Sequence, residues 1–194
     1  MHLRTTLPLV FLASLACLHP AAAAATTTQA CNGDATFCVR KYSQVTYVTT
    51  HNSYAYQSGN VAANQRYDIV TQLNDGVRGF MLDAHYKLDT NPNGIQLCHA
   101  SCSLLDSGDL LTTLQQMNQW LLVNPTEVVT IFWENFDNIP AATFNTAYLQ
   151  SGIMNIVYTQ PAATLDWPTL GDLVKQNKRV INFIDRGADA AVPW

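Results

Sequence analysis

The feature that most restricts the fold of this chain is an alternation of two kinds of segment from residue 31 onward. Short apolar segments rich in β-branched residues, each ending at polar residues, alternate with segments that have the period of an α-helix. The predicted strands are 45–50, 79–85, 95–99, 128–133 and 180–184. This alternation is typical of β/α architecture, in which helices cover a parallel sheet. We therefore expect an α/β fold with about five strands.

Helical periodicity marks four segments, 61–74, 110–121, 141–158 and 169–177. It is clearest in 110–121, where leucine and methionine recur at the spacing of one helix face. Either Ser107 or Asp109 is expected to cap the start of this helix, and Pro125 should stop it.

The N-terminus has the pattern of a secretory signal peptide over residues 1–25. Its only charged residue is Arg4, and an apolar run over 7–18 is followed by five consecutive alanines. That run is shorter than the ~20 residues of a membrane-spanning helix. Residues 26–30 then form a polar linker, and the folded domain is expected over 31–194. We expect a secreted, extracellular or cell-surface protein with no transmembrane span after signal removal.

Composition and motifs exclude several functional classes. Charged residues make up 12% of the chain and the net charge is −4, so there is no basic surface for nucleic acid. The sequence has no Gly-x-Ser-x-Gly, no phosphate-binding glycine loop and no His-Glu-x-x-His. Serine esterases, nucleotide-dependent enzymes and zincin proteases are therefore disfavoured.

Four cysteines follow the predicted signal peptide, and an even number in an exported chain favours disulfides. Four cysteines allow three connectivities. We expect the two local pairs, Cys31 with Cys38 and Cys98 with Cys102. Buried free thiols are one alternative, and a zinc site is a weaker one because the spacing of Cys31 and Cys38 does not suit it.

Polar residues cluster at or just beyond the C-terminal ends of the predicted strands. They are His51, Asn52, Asp83, His85, His99, Glu134 and Asp185. This is the end at which α/β folds and (β/α)₈ barrels carry their active sites. We therefore expect these side chains to lie at one rim.

Two kinds of chemistry are possible at such a rim. A pair of histidines can act as general base and general acid, because imidazole titrates near neutral pH. Two neighbouring carboxylates, Asp83 and Glu134, would repel each other unless a cation lies between them, and Asn52 offers a further oxygen ligand for calcium or magnesium. Together these features suit phosphodiester cleavage.

Each of these residues also has a structural interpretation. A single histidine is more often structural than catalytic, and His85 is interpreted as structural. The carboxylates could instead cap loops or pair with Arg78 or Arg186.

Four ordered motifs resemble the X domain of phosphatidylinositol-specific phospholipase C. They are 50–54, 72–83, 97–99 and 124–131, the last followed by Glu134. Within this family, the chain resembles in particular the exported, cysteine-containing phospholipase C-like phosphodiesterases of fungi and plants.

This resemblance implies a TIM-type (β/α)₈ barrel that cleaves a phospholipid-type phosphodiester, such as a phosphatidylinositol-like headgroup, at a membrane surface. His51 and His99 match the two catalytic histidines. About five strands are fewer than the eight of a closed barrel, so we expect the N-terminal portion of an incomplete barrel, which would be inactive if truncation removes needed residues.

The resemblance also assigns Asn52, Asp83 and Glu134 to calcium ligands of the eukaryotic enzymes. Met81 stands where those enzymes have a further acidic ligand, and a thioether is a poor ligand for calcium or magnesium. The arginine that metal-free bacterial members use near Asp83 is also missing.

These departures keep a second hypothesis open, a catalytically inactive barrel that acts as a secreted or cell-surface binding module. A third hypothesis keeps the enzyme class with a sphingophospholipid or glycerophosphodiester substrate, but the His-Arg pair of glycerophosphodiesterases is absent.

Overall fold

The structure is a computed structural model that describes residues 30–86, 94–161, 164–192 and 194. The predicted signal peptide and nearly all of the predicted linker lie outside these residues. The strands are β1 (Thr49–Thr50), β2 (Gly79–Tyr86), β3 (Ile95–Cys98), β4 (Asp106–Asp109), β5 (Val129–Asn135) and β6 (Val180–Ile184). The helices are α1 (Ile69–Asn74), α2 (Leu110–Val123), α3 (Ala141–Ser151) and α4 (Leu170–Lys175), with 3₁₀ turns at Ala35–Phe37, Tyr42–Gln44 and Ile153–Ile156. No helix in these ranges has the length and apolar character needed to cross a bilayer.

The six strands of the described residues form one open sheet. Five of them follow the order β4-β3-β2-β5-β6, and β1 pairs with the first residues of β2. The predicted α/β class is confirmed, and the open sheet agrees with part of a barrel. The β1–β2, β2–β5 and β5–β6 pairs are parallel, whereas the β2–β3 and β3–β4 pairs are antiparallel. The expected parallel arrangement does not extend to β3 and β4, because the link between β2 and β3 is too short for a helical crossover.

The main core lies on one face of the sheet. Phe80, Leu82 and Ala84 of β2 belong to it with alternate residues of β5 and the apolar face of α2. Successive strand side chains point to opposite faces. The odd-numbered residues of β2, including Asp83 and His85, therefore lie on the other face.

Several predicted elements are shorter in the structure. The segment 61–74 is helical only in α1, because the Asp68 carboxylate caps the helix start by accepting from the Thr71 amide at 2.7 Å. The segment 45–50 is strand only in β1. The segment 141–158 is interrupted by Gly152, whose φ of 76° is left-handed and ends α3.

Aromatic packing explains the shortening of the first strand. Tyr42 stacks on Tyr47 with ring centroids 5.2 Å apart and also contacts Trp167. These contacts place the chain before β1 in a second apolar cluster with Val128 and Leu170 rather than in the sheet.

Both expected disulfides are present. Cys31 bonds to Cys38 and Cys98 bonds to Cys102, with Cα atoms 5.1 and 4.8 Å apart. This pairing excludes the free-thiol and zinc alternatives. Asp109 rather than Ser107 caps α2, because its carboxylate accepts from the Leu111 amide at 2.7 Å.

Candidate active site

Two strands pair with the same edge of β2. β1 runs parallel beside Gly79 and Phe80, whereas β3 runs antiparallel beside the segment 84–86. The opposite edge of β2 is occupied by β5. The C-terminal ends of β1 and β3 therefore point toward each other across a gap beside residues 81–83.

This arrangement places the two candidate catalytic histidines. His51 directly follows β1 and His99 directly follows β3, so they approach Asp83 from opposite ends of the gap. Both histidines lie close enough to Asp83 for their charges to lower the pKa of its carboxyl group. The expectation that every strand end would point to one rim does not hold for β3, yet the short hairpin still brings His99 to the same place.

The chain after β1 fills the gap and is held there by two hydrogen bonds between Ser53 and Met81 of β2. The Ser53 amide donates to the Met81 carbonyl at 2.9 Å, and the Met81 amide donates to Ser53 Oγ at 3.0 Å. Farther back, a Cβ on Gly79 would lie 2.1 Å from Thr49 Oγ1. Glycine at this position therefore permits the close approach of β1 to β2.

Asn52 adopts a left-handed conformation within this segment, with φ of 46°, and is 2% exposed. Its Nδ2 donates to Asn64 Oδ1 at 3.1 Å. Its Oδ1 is buried and has no hydrogen-bond partner among the described residues.

Asp83 lies opposite Glu134 in the register of β2 and β5. Asp83 is 2% exposed, and Glu134 is half-buried. Burial is the main cause that raises the pKa of Asp83, and the charge of Glu134 raises it further, while a Tyr54 hydrogen bond opposes the rise. In the described part of the chain, Asp83 Oδ1 has no hydrogen-bond partner.

Tyr54 is a site residue that the sequence reasoning missed. Its buried hydroxyl donates to the Cys98 carbonyl at 2.9 Å and lies close enough to Asp83 to interact with its carboxyl group. Burial, followed by the Asp83 contact, raises the pKa of Tyr54 far above its ordinary value, so the hydroxyl keeps its proton. Only its position in the motif 50–54 could have drawn attention to it.

The two histidines differ in environment. His51 is exposed, and its carbonyl accepts from Gln65 Nε2 at 2.5 Å. His99 is half-buried, and its Nδ1 lies 2.7 Å from the Ala62 carbonyl. A carbonyl only accepts, so this contact places a hydrogen on Nδ1 and makes Nε2 of the neutral ring a proton acceptor.

The third histidine of the predicted rim, His85, packs against neighbouring side chains. Its ring stacks on Phe136 with centroids 5.1 Å apart, and its Nδ1 lies 3.4 Å from Asp137. It lies on the same face of β2 as Asp83, two residues farther along. These contacts agree with the structural interpretation of His85.

The predicted alternative partners of the site carboxylates are engaged elsewhere. Arg78 pairs with Glu127 at 2.7 Å, and Arg186 pairs with Asp185 at 2.9 Å. Asp185 also accepts from the Asn135 amide and so joins the ends of β5 and β6. These arginine pairs therefore do not supply the counter-charge for Asp83 and Glu134.

The oxygen atoms of Asn52, Asp83 and Glu134 suit a hard divalent cation chemically, and two of the three residues have an unpartnered buried oxygen. Met81 lies on the same face of β2, where it offers only a thioether. Within the described ranges, no group of three or more His, Cys, Asp or Glu side chains is arranged to hold a metal. An ion here would therefore depend on the Asn52 amide and on water or substrate oxygens.

Comparison with known proteins identifies clear relatives. The family model described as PI-PLC X 1 matches residues 37–193. An uncharacterized secreted protein of Arthroderma benhamiae is 40% identical over 87% of this chain. A PI-PLC X domain-containing protein 1 of the same organism is 34% identical over 82% of the chain, and a PI-PLC X domain-containing protein of Arabidopsis thaliana is 31% identical over 73%. The chain covers 38%, 52% and 36% of these three relatives, in that order.

Solved structures share the fold. A mutant of phosphatidylinositol-specific phospholipase C from Staphylococcus aureus matches with a TM-score of 0.57 and 19% identity, over 75% of this chain and 49% of that one. The phosphatidylinositol-specific phospholipase C from Listeria monocytogenes gives a TM-score of 0.58 and 18% identity, over 77% and 54% of the two chains.

Proposed function

This chain belongs to the PI-PLC X domain family, and we propose that it is a phosphoric diester hydrolase or lyase that cleaves a phospholipid-type phosphodiester with a phosphatidylinositol-like headgroup. The observation that carries the proposal is the meeting of His51 and His99 beside Asp83, at the facing ends of β1 and β3. Two imidazoles on either side of one phosphate can serve as the general base and the general acid of its cleavage.

In the proposed reaction, one imidazole accepts the proton of the attacking hydroxyl, which belongs to the substrate or to water. The new oxygen–phosphorus bond forms as the bond to the leaving oxygen breaks, and the second imidazole donates a proton to that oxygen. His51 is exposed, and Nε2 of His99 has no hydrogen-bond partner among the described residues, so both rings are available to a substrate.

Asn52, Asp83 and Glu134 would hold a calcium or magnesium ion. Such an ion supplies positive charge to the phosphoryl oxygens and so lowers the barrier to attack. The buried oxygens of Asn52 and Asp83 that have no hydrogen-bond partner among the described residues are available to such an ion.

We also propose that the protein is exported and acts at a membrane surface outside the cell. Its two disulfides and its 40% identity to a secreted protein support export. The membrane substrate is inferred from the resemblance to phosphatidylinositol-specific phospholipase C.

The test is release of water-soluble phosphate ester from phosphatidylinositol in detergent micelles, with calcium or with a chelator. His51→Ala and His99→Ala should each lower kcat by about 10² to 10⁴. Because His51 is exposed, His51→Ala should leave the melting temperature unchanged, and this variant therefore separates catalysis from folding. Equal activity of wild type and His51→Ala would contradict the assigned role.

A binding module is the second candidate, and Met81 favours it because it removes one acidic ligand from the site. That candidate predicts that the protein sediments with phosphatidylinositol vesicles and releases no phosphate ester, with calcium present or absent.

A further inference from the structure

We propose that the Cys98–Cys102 disulfide is a positioning device for His99, which holds the imidazole beside Ala62 and Asp83. The proposal rests on the proposed function of His99 as an acid or base. It adds one requirement to that function: activity then depends on the Cys98–Cys102 bond as well as on the histidine at position 99.

The disulfide closes a tight loop around the histidine. Cys98 is the last residue of β3 and is fully buried, whereas Cys102 is exposed. Only His99, Ala100 and Ser101 lie between them, and the two cysteine Cα atoms are 4.8 Å apart. The chain must therefore reverse immediately after His99.

Ala100 makes this reversal in an unfavourable conformation. Its φ of 59° lies in the left-handed region, which is disfavoured for any residue with a Cβ. Such a conformation persists where the surrounding structure imposes it. Here the bond between Cys98 and Cys102 constrains the chain on both sides of Ala100.

Hydrogen bonds alone give His99 a weaker anchor. Its amide donates to the Leu105 carbonyl at 3.1 Å, and its carbonyl accepts from the Ser101 amide at 2.7 Å. The Ser101 amide belongs to the exposed turn, and the Leu105 carbonyl lies where the chain returns to the core. Without the disulfide, Ala100 can return to a favoured conformation, and the His99 ring would lose its fixed distance to Ala62 and Asp83.

The chain contains a matched control in its other disulfide. Cys31 packs with Val128, which precedes β5, so this bridge lies at the opposite end of the strand from Glu134. Six residues of extended chain separate these two ends by roughly 20 Å. The Cys31–Cys38 bridge can therefore stabilise the fold without touching the site.

The experiment compares Cys98→Ala/Cys102→Ala with Cys31→Ala/Cys38→Ala, each made in the full-length protein. Both variants should have a lower melting temperature than wild type. Only the first should lose kcat on phosphatidylinositol micelles, by about tenfold or more, with KM changed by less than about threefold. Equal kcat in the two variants, or a loss confined to KM, would overturn the proposal.

A rescue variant tests the role of the turn. Glycine adopts the left-handed conformation freely, so Ala100→Gly in the Cys98→Ala/Cys102→Ala background should recover part of the lost kcat. If the left-handed turn at position 100 does not position His99, Ala100→Gly in this background will leave kcat as low as before, and that outcome would contradict the proposal.

A readout without substrate separates this proposal from the proposed function. In protein with ¹⁵N-labelled histidine, the Nδ1 proton of His99 should be protected from exchange by the Ala62 carbonyl in wild type and in Cys31→Ala/Cys38→Ala. It should exchange rapidly in Cys98→Ala/Cys102→Ala. Unchanged protection there would reject the positioning role, even if the wild-type protein proved inactive on phosphatidylinositol.

Discussion

Asp83 and Glu134 stand opposite each other in the ladder between β2 and β5, and Arg78 and Arg186 pair with other carboxylates. Placing two acidic side chains side by side, one of them almost fully buried, opposes folding. The fold tolerates this arrangement because the remainder of β2 is anchored in the core. Such a local conflict is expected where a site is shaped for function.

Asp83→Asn should stabilise the protein at neutral pH while it lowers activity. Because burial raises the pKa of Asp83, the folded protein binds that proton more tightly than the unfolded chain does. Folding stability from this group is therefore fully present below the ordinary pKa of 3.8 and is lost as the pH rises through the raised value. Urea denaturation should show an advantage of Asp83→Asn at pH 7 that disappears near pH 3. A variant less stable than wild type at pH 7 would contradict this prediction.

Calcium should raise the melting temperature of the wild-type protein, because an ion that binds only the folded state stabilises it. Met81→Glu should strengthen this response by restoring an acidic side chain on the same face of β2 as Asp83. Glu134→Gln should weaken it. Calorimetry with calcium and then with excess chelator measures both changes. A wild-type melting temperature that is identical in the two conditions would exclude a calcium site formed by these residues.

Gly79→Ala should displace β1 and lower activity by about tenfold or more, because His51 directly follows that strand. The new Cβ would lie 2.1 Å from Thr49 Oγ1 and 2.9 Å from Thr49 Cβ. Removing the opposing side chain in Thr49→Gly/Gly79→Ala should restore part of the activity. Phosphate ester release measures the effect, and full activity of Gly79→Ala alone would show that the position of β1 does not control His51.

Asp109→Ala should destabilise the protein by about 1 kcal/mol with little change in kcat. The carboxylate caps α2, whose apolar face packs in the main core, on the face of the sheet opposite Asp83. Asp109→Ser should retain most of the stability, because serine also accepts from a helix N-terminal amide. Urea denaturation measures both variants. If Asp109→Ser is as unstable as Asp109→Ala, the cap is not the source of the effect.

Much of the candidate site could be predicted because its signals are local. The apolar segments of the strands, the polar residues that end them and the short spacing within each cysteine pair are all contained in a few neighbouring residues. Asp83 and Glu134 were expected to be neighbours because they occupy matching positions at the ends of two predicted strands, and the parallel register places them opposite each other. The catalytic roles of His51 and His99, and the metal, stay predictions.

The sequence by itself determined the α/β class, the main strand positions, both disulfides and the polar composition of the site, since these follow from apolar periodicity and short-range spacing. Tertiary structure alone decided that β3 returns antiparallel, that the ends of β1 and β3 meet beside Asp83, and that Tyr54 contacts both Cys98 and Asp83. Those features depend on pairing between residues distant in the chain. The free energy of such pairing comes from many long-range contacts, which a short stretch of sequence does not reveal.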